Sequence, residues 1–441
     1  MRRTCHAHVI AVLIGCTSLA LAAPAQAAHA PAAQAAHHTP ARAALPAGDG
    51  WASSGAGTTG GQAADAAHTF TVSTRAQLAA ALNGGDATPK IIQIKGTIDG
   101  NTDAAGQPLS CADYATDGYA LDAYLAAYDP ATWGTTTVPT GPQEDARAAS
   151  AARQGARVQL LVGSNTTIVG VGKHAKLLAL DLQVKNADNV IVRNLTFEDA
   201  FDCFPQWDPT DGATGNWNSE YDNLVVYGAT HVWIDHNTFT DGRRPDAAQP
   251  FYFGRIYQQH DGELDIVKGA DLVTASWNAF TDHDKTLLFG NSDGAAATDA
   301  GKLRVTLHHN LFKNITERAP RVRFGQVDTY NNHYVVTTGQ EYVYSLGVGF
   351  KSQLVAEANA FTLPKTVGAD RVIAYWKGTA MTEHHNVVNG KETDLLGAFN
   401  AAHPATVIAG DAGWTPALRT RVDRPSAVPH IVDCGAGAGR L

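Results

Sequence analysis

Between about residues 160 and 390 the chain repeats one pattern: alternating apolar positions, an asparagine, one further residue, then a large apolar side chain. The copies run from Val232 to Phe239 with Asn237, Val273 to Phe280 with Asn278, and Val305 to Phe312 with Asn310. They continue from Val327 to Tyr334 with Asn332, Leu354 to Phe361 with Asn359, and Met381 to Val388 with Asn386. An earlier copy, Val190 to Phe197, carries Asn194 one place early. The aligned asparagines are 41, 32, 22, 27 and 27 residues apart. The shortest interval reads as one bare coil, and the longer ones as coils with inserted loops. Short period-two strands punctuated at a fixed place predict an all-β chain wound as a parallel β-helix. Its rungs stack at about 4.8 Å, and no rung buries its apolar face alone. Asparagine suits the recurring turn because it tolerates left-handed backbone and its amide bonds to the asparagines above and below. The six are therefore read as a ladder and not as catalysts. A propeller blade needs about 40 residues, more than the interval from Asn310 to Asn332 supplies.

A second short strand precedes each ladder strand, at 224–226, 264–266, 287–289 and 322–324. Stacked rungs place these four in one sheet and gather charged residues near their starts: Asp222, then Asp261, Glu263 and Asp265, then Lys285, then Arg318, Arg321 and Arg323. Three rungs span only about 10–15 Å. Carboxylates grouped without Cys or His point to a hard cation such as Ca²⁺. Lysine and arginine beside them suit an anionic substrate. With Leu264 and Ile266 inward, alternation turns Glu263 and Asp265 outward; with Val322 and Phe324 inward, it turns Arg321 and Arg323 outward. For Asp222 and Lys285 it leaves the direction open. Asp261 and Asp265 would lie about 13 Å apart on an extended strand, so either Gly262 supplies a bend or Glu263 replaces one of them.

Nearer the N-terminus, Thr74 with Gln77 forms a capping box, Leu78 and Leu82 share a face, and Gly84 stops the turn. This predicts a short capping helix, with a first strand from Ile91 to Ile98. Residues 101–150 form a mixed segment with a helix around 121–128. Residues 28–66, rich in Ala, His, Gly, Ser and Thr without apolar periodicity, read as a disordered low-complexity linker, with His37 and His38 in a solvated tail. Residues 1–27 read as a secretory signal peptide: Arg2 and Arg3, an apolar run from Val9 to Ala23, then Ala25-Gln26-Ala27. The expectation is a secreted, extracellular protein without a membrane span, its catalytic β-helix domain covering 67–441. Leu13 to Cys16 also resembles a lipoprotein box, which would anchor Cys16 instead. Removal of the signal leaves Cys111, Cys203 and Cys434, enough for at most one internal disulfide and in no zinc-site spacing.

The formal charge of −9, from 33 basic and 42 acidic residues, argues against nucleic acid as a partner. It also means that an acidic polymer needs local positive charge or a cation to approach.

Four runs resemble the bacterial extracellular pectate lyases of polysaccharide lyase family 1, most closely the Bacillus type. They are Trp207 to Gly212, Trp233 to His236, His283 to Lys285 and Arg318 to Gly325. The resemblance spans roughly 70–440 and implies a right-handed parallel β-helix with long inserted loops. It also implies calcium-dependent β-elimination of polygalacturonate by a monomer. Matched position by position, Asp222, Asp261 and Asp265 would hold the primary Ca²⁺. Arg318 would be the base, and Lys285 and Arg323 would bind substrate carboxylates. Asp208, Asp211 and Asn218 would recruit further Ca²⁺ with substrate. Glu263 stands where the family commonly has a small residue. Arg321 is read as structural, paired with a neighbouring carboxylate. A pectin lyase acting on methyl esters would share the fold but lack the acidic trio. A polygalacturonase would use paired carboxylates and water. A non-catalytic polysaccharide-binding β-helix would need no such constellation.

Overall fold

Each turn of the chain contributes one strand to each of three sheets, and the computed structural model, which describes residues 40–441, follows that rule from Gln159 to Val388. One full turn is Leu264–Val267, Asp271–Ser276 and Ala279–Lys285; the next is Leu288–Phe289, Val305–His308 and Leu311–Glu317. The ladder sheet has ten strands, from Thr69–Val72 to Met381–His384. A second ten-stranded sheet follows the asparagines, and a third, of eight strands, runs from Gln159–Val162 to Ile373–Trp376. Within the coils all pairing is parallel and in register, for example Val273 on Val305 and Val305 on Val327. The fold is a right-handed parallel β-helix.

Stacking in register turns a repeated residue type into a continuous column. Phe197, Phe239, Phe280, Phe312, Tyr334 and Phe361 stack with centroids 4.5–5.1 Å apart. The ladder forms as read: Asn237 donates through both its N–H and its Nδ2 to Asn278 Oδ1, and Asn278, Asn310, Asn332 and Asn359 each do the same to the next. The left-handed residue, however, is the one before each ladder asparagine: His236, Trp277, His309, Asn331, Ala358 and His385, at φ 51–56°. Asn194, one place early, occupies that turn position itself.

The ends of the coil are closed by helices. Arg75–Leu82 is capped by Thr74 as the pattern predicts and buries Leu78 and Leu82 against the core. Leu395–Ala402 adds Leu395 and Phe399 at the other end. Residues 101–158 hold four short-to-long helices, among them the expected Leu121–Ala127 and a 17-residue helix, Pro142–Val158, that apolar spacing did not signal. This insertion is tied to the coil by a Cys111–Cys203 disulfide. No described helix is long and apolar enough to cross a membrane.

The linker reading of 28–66 needs correction from residue 40 onward. Residues 40–66 are an ordered strap across the ladder sheet, and the compact unit begins at Pro40. Leu45 and Ala52 pack on Ile191 and Trp233. The strap's backbone N–H groups donate to the sheet's side chains: Trp51 to Thr306, Ala52 to Thr274, Gly61 to Thr167 and Gly60 to Asn189. Close approach demands small residues: a Cβ on Gly60, at φ 52°, would lie 2.3 Å from Thr167 Oγ1. A segment held by its backbone shows no apolar period, which is why the composition looked disordered. The signal peptide, Cys16, His37, His38 and the rest of the linker lie outside the described residues.

Candidate active site

Asp265 is the second residue of Leu264–Val267, opposite Val225, and points out between buried Leu264 and Ile266 as alternation requires. Just before it alternation fails. The N–H groups of Glu263 and Leu264 both donate to the Thr286 carbonyl, at 3.0 and 3.1 Å. Two residues against one is a β-bulge, which bends the strand. Glu263 therefore turns inward and is fully buried, contrary to the outward position expected of it. Gly262 immediately precedes this bulge. The Gly262 N–H donates to Asp222 Oδ1 at 2.7 Å. A Cβ there would lie 2.6 Å from both Asp222 Oδ1 and Asp265 Oδ1, so the two carboxylates converge on a spot that only glycine leaves open.

The convergence is electrostatically costly without a cation. Burial first, then Asp261, pushes the Asp265 carboxyl up to about 7. Burial, followed by Asp265 and Asp261, holds Asp222 well above the usual carboxylate range. An oxygen-only set in which Asp261 raises both Asp222 and Asp265 suits a hard dication. The trio is more open than Asp241, Asp246 and His260, the one group among the described residues whose ligand atoms all lie within 4.8 Å of each other. That tighter group already holds a proton. His260 faces Asp246 Oδ1 with Nδ1 and Asp199 Oδ1 with Nε2, both at 3.1 Å. Both ring nitrogens must then donate, and although burial opposes it, Asp241, Asp199 and Asp246 raise the imidazole to about 9.

Lys285 ends the strand Ala279–Lys285, and its Nζ donates to Asp261 Oδ1 at 3.1 Å. Arg318 follows Leu311–Glu317 in left-handed backbone, φ 60°, with Nε donating to Glu317 Oε1. Burial lowers the Arg318 guanidinium, but Glu317, Tyr344, Asp261 and Asp265 outweigh it and leave it above its ordinary value. Arg323 lies further along, donating to Asp293 Oδ1 and the Gly290 carbonyl. Among the described residues Arg321 has no carboxylate partner, contrary to the pairing expected of it. Its guanidinium lies 3.8 Å from the Trp376 ring centroid, and burial, then Arg323, lowers it to about 10.

Asp208 and Asn218 share one face of an antiparallel hairpin, Gln206–Asp208 with Asn216–Asn218, whose other face buries Trp207 and Trp217. Asp211 sits exposed at its tip, donating its N–H to the Asp208 carbonyl. No hydrogen bond joins these three side chains. Asp181 escaped the sequence reading, and His283 entered it only as the first residue of a run that carries the resemblance. Asp181, beside Leu182 that pairs with Leu224, is buried with one unpartnered oxygen and is pushed to about 7 by burial, with Asp261 among its acidic neighbours. His283 faces Asp241 Oδ1 and the Asp261 carbonyl, both at 2.8 Å, and so fixes the backbone of a trio member. The parity of the repeat exposes neither, because each acts from outside the four strands that drew attention.

A family model described as pectate lyase matches residues 26–124 and 131–407. The chain is 47% identical to a pectate lyase of Bacillus subtilis (strain 168) over 90% of this chain and 93% of that one. It is 38% identical to pectate lyase E of Dickeya dadantii (strain 3937), over 80% and 78%. Among solved structures, a pectate lyase bound to a hexasaccharide superposes with a TM-score of 0.87 at 46% identity, covering 91% of this chain and 99% of that one. A convergent carboxylate pair flanked by Lys285 and Arg318 on a parallel β-helix, with these relatives across 80–91% of its length, places the chain in the pectate lyase family, among the polysaccharide lyases of family 1.

Proposed function

We propose that the protein is an exported, monomeric, calcium-dependent pectate lyase that cleaves α-1,4-linked polygalacturonate by β-elimination, releasing unsaturated oligogalacturonates. The observation that carries the calcium reading is the meeting of Asp222 and Asp265 over Gly262, with Asp261 beside them. Asp222, Asp261 and Asp265 would hold the ion, which when bound draws charge from a uronate carboxylate and acidifies the neighbouring C5 proton. Lys285 and Arg323 bind carboxylates of the chain and stabilise the charge that develops there. Arg318 takes the C5 proton, and the C4 glycosidic oxygen leaves. Its base strength argues for alkaline working conditions, since the guanidinium must first be deprotonated. Neutralising Asp261 and Asp265 removes two of the groups that hold its proton on. Asp208, Asp211 and Asn218 serve as a further calcium site when substrate is present. A disulfide joining the insertion to the coil supports export to an oxidising compartment.

Ultraviolet absorbance of polygalacturonate incubated with the protein tests this. The expected result is a rise from the new conjugated double bond that a chelator abolishes. New reducing ends without absorbance would make it a hydrolase. Activity confined to methylated pectin would make it a pectin lyase, and binding without cleavage would make it a binding module.

A further inference from the structure

Two segments from opposite ends of the sequence meet on the ladder sheet. The Gly50 N–H of the strap donates to the Leu418 carbonyl, and Trp51 packs on Trp414. Beneath them the strand Val305–His308 ends with His308 on the strap-facing side, in register with Ser276 and Tyr330, and His309 takes the left-handed turn position. Four titratable groups then stand in a row. Asp49 Oδ1 lies 3.4 Å from His308 Nε2, His308 Nδ1 lies 2.9 Å from His309 Nδ1, and His309 Nε2 lies 3.1 Å from Asp423 Oδ2. Both rings are buried, stacked on Tyr330 and Trp277, and His308 Nε2 has no hydrogen-bond partner among the described residues.

The row is one hydrogen short. Each of its three contacts needs a hydrogen to be attractive, because two facing lone pairs repel. Two neutral imidazoles supply one each, and two carboxylates supply none. The Asp423 carboxylate fixes a hydrogen on His309 Nε2, which leaves His309 Nδ1 as acceptor and requires His308 Nδ1 to donate. His308 Nε2 is then a bare lone pair facing Asp49, and one further proton, taken from solvent, joins them. Burial, then His309, lowers the His308 imidazole to about 3, and burial lowers His309. Burial, then Asp235, raises Asp49 to about 6, so the added proton resides on its carboxyl. The other charges nearby are already engaged. Asp235 is held by Arg193 and His236, Arg419 by Asp328 and Glu357 over the Tyr330 ring, and Arg421 reaches Asp423 Oδ1. Thr420 Oγ1 approaches Asp49 Oδ1 only at 3.4 Å.

We propose that Asp49, His308, His309 and Asp423 form a clasp closed by one shared proton, which locks the strap and the C-terminal segment onto the ladder sheet in acid and frees the strap when it leaves. The closed clasp binds the proton more tightly than the open one, so closure is favoured at low pH and fades as pH rises through about 6. The chain thereby has a tightly wrapped acid form and a looser alkaline form, whatever substrate the coil takes.

Hydrogen exchange of the intact protein, read by mass spectrometry at pH 5 and pH 8 and corrected for the intrinsic effect of pH, tests it. Strap peptides holding Trp51 and Ala52 are expected to lose about tenfold in protection between the two, the ratio set by a carboxyl that moves from 3.8 to about 6. Peptides from Asp271–Ser276 and Val305–His308 should stay within about twofold. In Asp49→Asn the amide donates to His308 Nε2 at every pH, and the strap should be protected equally at both. Strap protection that ignores pH in the wild type, or that falls as much in Asp49→Asn, overturns the proposal. So does loosening of strap and coil together, which would be a general alkaline destabilisation. Nitrogen NMR of histidine-labelled protein gives an independent reading at pH 5. The expected pattern is a hydrogen on Nδ1 of His308 and on Nε2 of His309, and titration of either ring near the ordinary value of about 6.5 overturns the clasp.

Discussion

Arg318 shows how closely a residue's chemistry depends on its neighbours. Two aspartates and Glu317 hold its proton on, so the same carboxylates that would bind calcium also govern whether it can act. Arg318→Ala is expected to lower kcat by about 10²–10⁴-fold, the usual worth of a positioned acid or base, with calcium binding unchanged in calorimetry. Asp49, on the strap, offers a test of sign. Burial first, then Asp235, raises its carboxyl to about 6 from the ordinary 3.8. The folded state therefore binds the proton more tightly than the unfolded one. That contribution is fully present below about pH 4 and is lost as pH rises through 6. Asp49→Asn should raise the unfolding free energy at pH 8 by roughly 2–3 kcal/mol and leave it nearly unchanged at pH 3.5, measured by urea unfolding at the two pH values.

At the scale of elements, what repeats was legible and what occurs once was not. The asparagines and the phenylalanine column recur at one register, so their spacing alone located the coils, although the third strand of each was not read from it. Removing a ladder member should therefore cost more than a surface change. Asn310→Leu strands the backbone N–H of Asn278 and leaves the Asn332 oxygen with only the backbone donor of residue 310, and should destabilise by about 2–3 kcal/mol, read from denaturant midpoints. The strap shows no period because it binds through backbone N–H groups. The bulge at Glu263 is equally silent, since alternation was extended back one residue past the point where two N–H groups share the Thr286 carbonyl. Helix Pro142–Val158 announced itself only by proline at its first position and by Glu144 and Asp145 in its first turn. Stacking the strands singled out the acidic trio, but no pattern fixes the meeting of Asp222 and Asp265 over Gly262.

Taken as a whole, the molecule is a nearest-neighbour stack, in which a ligand clamping adjacent rungs stabilises the entire coil. Asp222 and Asp265 belong to neighbouring rungs. Calcium at a hundredfold excess over its Kd should add about 2.7 kcal/mol, seen as a Tm that falls with chelator in the wild type and does not respond in Asp265→Asn. The direction of the asparagine ladder matters at this scale too. Each amide bonds back to a carbonyl of the rung before it, but every amide-to-amide link donates toward the C-terminal end, and the last amide, Asn386, donates to the Glu383 carboxylate. The ladder is thus a line of aligned dipoles, positive at its far end and closed there by an acidic side chain, and the long axis of the coil has an electrical polarity. Because polarised amides strengthen one another, a break at its middle would weaken links on both sides, and two ladder substitutions would cost less together than the sum of each made alone.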